Sequence, residues 1–89
     1  MGKWERAILA ALERVPAFYL TDLLPEPHTR SQVVALERAA HTLADAGKIK
    51  LVRRGRHAAF DELPHGLLTV YRRGHPAPER RHITRLNVA

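Results

Sequence analysis

The sequence predicts a small α+β domain, three helices followed by a β-hairpin, with a second hairpin after it. Three observations lead there. Apolar residues recur at helical spacing over residues 4–15 and 33–44, and a capping pattern and a glycine bracket the second stretch. Beyond the glycine the pattern changes to the twofold alternation of strands. At 89 residues the chain makes one domain, near the lower size at which a single hydrophobic core is stable alone.

Trp4, Ala7, Ile8, Ala11, Leu12 and Val15 form one stripe of the first helix, while Glu5, Arg6, Glu13 and Arg14 fall mostly away from it. Pro16 lacks an N–H and disfavours the α region at Val15, so this helix should end near Arg14. Trp4 lies in the apolar stripe and reads as a core anchor. Residues 17–20 are short and apolar, and Thr21 and Asp22 suit the cap of a helix of one or two turns through Leu23 and Leu24. Pro25 and Pro27 then turn the chain sharply.

Thr29-Arg30-Ser31-Gln32 has the capping-box pattern, which fixes where the third helix starts. At about 100° per residue, Val33, Leu36, Ala40, Leu43 and Ala44 share an inward face, and Ser31, Val34, Ala35, Arg38, His41 and Thr42 project the other way. That outward face is small and polar. Small side chains let a helix backbone sit deep in a groove, and Arg30, Ser31, Gln32 and Arg38 bring hydrogen-bond donors near the helix N-terminus, where the dipole favours phosphate. An ordinary solvent face would more often carry several Lys and Glu.

Gly47 stands where a left-handed cap is expected, and Lys48 suits the negative end of the helix. If Arg54-Gly55 is a two-residue turn, Arg53 pairs with Arg56, Val52 with His57, Leu51 with Ala58, Lys50 with Ala59 and Ile49 with Phe60. Ile49, Leu51, Ala58 and Phe60 then share a face, and Arg53, Arg54 and Arg56 crowd at the tip. Their mutual repulsion points to an absent polyanion. In the tail, residues 67–73 and 82–88 predict the second hairpin around the loop Gly74-His75-Pro76-Ala77-Pro78, with a helix over 66–73 as the alternative. Three uses are open for this tail: completing the core, pairing with another subunit, or laying Arg72, Arg73, Arg80, Arg81 and Arg85 along nucleic acid.

Charge is segregated. The net charge is +6, yet residues 1–47 hold five bases against six acids, and residues 48–89 hold ten bases against three. A field of this kind attracts polyanions. No apolar run could span a bilayer, the N-terminal residues read neither as a signal nor as a transit peptide, and the absence of cysteine fits a reducing cytoplasm. No amphipathic helix has a basic face matched to a lipid surface.

Six histidines, His28, His41, His57, His65, His75 and His82, show no paired ligand spacing and no HExxH, so no metal is expected. Ser31 sits in a capping turn without a strained elbow, and no phosphate loop of the GxxxxGK type occurs. Neither catalysis nor a cofactor nor a small-molecule ligand is expected.

The order of helix, short helix, proline corner, TRSQVVALERAAHTLADAGKI and then LVRRGRHAAF resembles a winged helix-turn-helix domain over residues 4–60. It resembles in particular small bacterial regulators of the GntR and MarR types, whose recognition helix ends in a leucine, glycine, hydrophobic phrase, here Leu43-Ala44-Asp45-Ala46-Gly47-Lys48-Ile49. The second helix, over residues 20–24, is shorter than the family usually shows. The resemblance implies double-stranded DNA as partner, with residues 29–46 in the major groove and Thr29, Arg30, Ser31, Gln32, Ala35 and Arg38 nearest the bases. It places residues 49–60 as a wing, with Arg53, Arg54, Arg56 and His57 on the backbone or in the minor groove. A cytoplasmic, nucleoid-associated transcriptional regulator is the expected function. Small size and the spare tail suggest a homodimer on two half-sites. The alternatives from other classes are a protein-docking or nucleoprotein-assembly module without sequence specificity, and structured-RNA binding.

Overall fold

Helix α1 runs over Lys3–Arg14 and buries Ile8, Ala11 and Leu12. It stops where expected, at extended Val15 before Pro16. The computed structural model describes residues 1–53 and 68–86. After the proline comes strand β1, Ala17–Tyr19, then a one-turn 3₁₀ helix, Leu20–Leu23, and the long helix α2, Arg30–Asp45. Strands β2, Ile49–Arg53, and β3, Leu68–Arg72, complete an antiparallel sheet in the order β1-β3-β2. The expected α+β class is therefore present, with two α-helices and a three-stranded sheet.

The start of α2 is fixed as its sequence requires. Thr29 Oγ1 accepts from Gln32 N–H at 3.2 Å, and Thr29 N–H donates to Gln32 Oε1 at 2.7 Å. At the other end Gly47 adopts φ 74°, Lys48 N–H donates to Leu43 O at 2.9 Å and Gly47 N–H to Ala44 O at 3.0 Å. This is the Schellman closure, and it turns the chain directly into β2. Val33, Leu36, Ala39, Ala40 and Leu43 are buried, so the inward face is the expected one with Ala39 added.

One expectation about the strands lies outside the described residues and another is corrected. β2 pairs with β3, matching Ile49 to Arg72, Leu51 to Val70 and Arg53 to Leu68, while the expected partners of β2 across a tight turn, residues 56–60, lie outside the described residues. Val70, fully enclosed, stands between Leu51 and Phe18 in one apolar row. The second expectation was a hairpin between residues 67–73 and 82–88. Residues 68–72 are indeed extended, not helical, but β3 is the central strand and both its edges are taken by β1 and β2. The later segment goes instead to the outer edge of β1, where Thr84 N–H donates to Ala17 O at 3.0 Å in a parallel bridge between Phe18 and Thr84.

Register parity separates the faces of the sheet. Phe18, Val70 and Leu51 belong to the row joining the helical core of Ile8, Leu12, Leu20, Leu36 and Leu43. Ala17, Tyr19 and Thr69 alternate with them and are buried as well. Across that rear face the tail forms a cleft of about 370 Å³, bounded among others by Ala17, Tyr71, Pro76, Pro78 and His82. Burial of β1 on both faces explains why its three residues show no alternation in sequence.

The 3₁₀ helix starts one residue before Thr21, and neither Thr21 nor Asp22 caps it. Asp22 has another task. Its carboxylate accepts from Arg85 Nε and Nη2, both at 2.9 Å, and from Leu86 N–H at 3.0 Å. The Arg85 guanidinium also lies 5.4 Å from the Tyr19 ring centroid, and its pKa is raised, chiefly by the hydrogen bond to Asp22 and then by that residue's charge.

Candidate nucleic-acid interface

The outward face of α2 emerges as read from its periodicity. Arg30, Ser31, Val34, Arg38, His41 and Thr42 are exposed, and Ala35 is half-buried. The line Arg30, Val34, Arg38 holds no carboxylate itself, and half-buried Glu37 lies at its margin. Asp45 rejoins it only near the C-terminal end, roughly 10 Å beyond Arg38 at the helical rise. No hydrogen bond or ion pair holds the Arg30 or Arg38 guanidinium among the described residues.

Thr29 and Gln32, expected near the bases, are brought to the helix start, but their side-chain oxygens serve the capping box. The residues left to meet a partner are Arg30, Ser31, Val34, Ala35 and Arg38, which together bound a shallow groove of about 370 Å³. A second groove of about 280 Å³ lies on the other side of Ala35 and Arg38, walled by Lys3, Trp4 and Glu5 of α1. Arg38 thus stands on a ridge between two grooves. Lys3 has its ammonium 5.0 Å from the Trp4 ring centroid, a cation–π contact. Trp4 itself is half-buried against the edge of the core. Periodicity could not have found Lys3, because only the packing of α1 on α2 brings it there.

The wing residues are divided. Arg53 is at the end of β2, paired with Leu68, while Arg54, Arg56 and His57 lie outside the described residues. Lys48 and Lys50 are exposed at the corner where α2 passes into β2. Strand β2, which carries Lys50, packs directly on α2.

The arginines of the tail mostly serve the fold. Arg72 Nε donates to Leu12 O at 2.6 Å and its Nη2 to Glu13 O at 3.4 Å, so a cation meets the last carbonyls of α1. Arg73 Nη1 donates to Gly47 O at 2.9 Å at the end of α2. Arg85 clasps Asp22, and Arg81 pairs with Glu79 on the surface. Laying Arg72 and Arg73 along nucleic acid would break their contacts at the ends of both helices. Among the described residues, Arg30, Arg38, Lys48 and Lys50 are exposed bases on α2 and at its corner with β2.

A binding measurement separates the two classes of arginine. The Asp22 side chain is 5 % exposed and that of Arg85 62 %, so Arg85→Ala strips a nearly buried carboxylate of two charged donors while removing a mostly hydrated cation. The expected loss is about 1–2 kcal/mol in urea denaturation, well below a fully buried pair because the guanidinium is screened by solvent. If α2 is a nucleic-acid contact, affinity should change less than about twofold in protein that remains folded, since the clasp ties the tail to the 3₁₀ helix and involves no residue of the α2 ridge. A large drop in binding with unchanged stability would make Arg85 a contact instead.

Among the described residues no three His, Asp or Glu side chains are grouped to hold a metal ion, and no helix is long and apolar enough to cross a membrane. No family model, curated protein or solved structure matches the chain.

Proposed function

We propose that the protein is a winged-helix DNA-binding factor, a sequence-specific transcriptional regulator in which α2 enters the major groove. The observation that carries this is the α2 ridge of Arg30, Val34 and Arg38: two exposed guanidiniums that no hydrogen bond or ion pair holds among the described residues, with small Ser31 and Ala35 beside them and half-buried Glu37 at its margin. Arginine meets guanine through two parallel hydrogen bonds, and the small side chains allow close approach to base edges. Strand β2, with Lys48 just before it and Lys50 within it, packs on the same helix and suits the role of the root of a wing over adjacent phosphates. A dimer would place two such helices on successive half-sites.

Selecting bound duplexes from a random pool tests this reading. An enriched motif that persists at physiological salt is the expected result. Binding that enriches no sequence and vanishes near physiological salt would remove the site-specific reading, since charge alone behaves that way. A co-purifying acidic protein whose binding survives Arg30→Ala and Ser31→Ala would favour the docking module, and preference for a folded RNA over every duplex would favour shape recognition.

A further inference from the structure

We infer that Val34 reads the C5 methyl group of a thymine, with Arg30 and Arg38 engaging guanines to either side. This rests on the DNA-binding reading and narrows it to a sequence chemistry. Val34 is 43 % exposed, and among the described residues the other exposed large hydrophobic is Met1, at the chain terminus. Its position is the informative part. It lies four residues after Arg30 and four before Arg38, so the three side chains form one ridge of the helix.

Successive members of that ridge are about 6 Å apart along the axis, at about 1.5 Å per residue. Base pairs rise about 3.4 Å, so a helix aligned with the groove sets its three readers roughly two base pairs apart. Ser31 and Ala35 flank Val34 in the shallow groove and add little bulk, leaving the isopropyl group free to reach a base edge.

Valine has no polar atom with which to answer a base. Pressed against the amino group of cytosine or adenine, it would leave a donor desolvated and unpaired. In the major groove the thymine methyl is the base feature that welcomes apolar contact without a hydrogen bond. Uracil lacks that methyl, and the deep, narrow major groove of RNA excludes the helix, so the same chemistry selects DNA.

The test uses the full chain and the duplex obtained by selection, with each thymine replaced in turn by deoxyuridine, which removes one methyl and nothing else. At one position of the motif, affinity should fall about fourfold, the value of one buried methyl group. In Val34→Ala the thymine duplex should weaken similarly, and deoxyuridine at that position should make no further difference. Circular dichroism melting should show the variant folded, since Val34 is exposed and alanine favours helix. A selected duplex in which every thymine methyl is dispensable, or a methyl effect undiminished in Val34→Ala, overturns the inference while leaving DNA binding intact. Failure to select any duplex overturns both.

Discussion

Arg38→Ala is expected to lower affinity for the selected duplex roughly fivefold to 150-fold while leaving the unfolding midpoint nearly unchanged. The two halves of this expectation have separate causes. Arg38 is exposed, and no hydrogen bond or ion pair holds its guanidinium among the described residues, so its removal takes little from the folded state. A bidentate contact to a base, in contrast, discriminates by about 1–3 kcal/mol, which becomes the stated loss. Specificity should relax at the base pair that Arg38 faces. Arg30 occupies the first turn of α2, where phosphate is also within reach, so Arg30→Ala should combine a smaller loss of preference with a shallower salt dependence. Titration of both variants at two salt concentrations, against the selected duplex and a scrambled one, separates these effects. Equal weakening on both duplexes by Arg38→Ala would assign it to the backbone and end its role in reading sequence.

The parts of the fold that were legible in sequence are those governed by local chemistry. The capping box at Thr29 and Gln32, the glycine at 47, the proline after Val15 and the two apolar stripes act within a few residues, and each appears where the sequence puts it. The outward ridge of α2 was legible for the same reason. What sequence could not supply is the choice of partner. Nothing in the sequence near Leu51 names Val70 as its neighbour, and the pairing follows from the apolar row that runs through Val70 to Phe18. The tail arginines present the same difficulty in electrostatic form. Arg72 and Arg73 read as surplus positive charge until the ends of α1 and α2 are brought beside them. Asp22 reads as a helix cap until Arg85, distant in sequence, reaches it. Of the site residues, Val34 stood on the outward face from the start. Its exposure between two arginines is the signal from which a contact with a base is inferred.

Phe18→Ala should remove about 3–5 kcal/mol of stability, a large part of the roughly 5–15 kcal/mol that holds a domain folded. Phe18 is 0 % exposed, pairs with Val70 at the centre of the sheet and bridges to Thr84 of the tail. Its side chain belongs to the row that joins the helical core, while its backbone forms the edge on which the tail lies. Truncation therefore opens a cavity between sheet and helices and loosens the strand beneath the tail together. Neighbouring leucines can fill such a cavity only in part, because Leu20, Leu36 and Leu43 are already enclosed by other contacts. In urea denaturation the midpoint should fall far enough for an unfolded fraction to appear near room temperature, and DNA binding should decline in proportion to that fraction. Sequence preference in the folded remainder should be unchanged, which is the opposite signature from Arg38→Ala. A loss below about 1 kcal/mol would mean that the core collapses readily around position 18 and that the sheet does not depend on this ring.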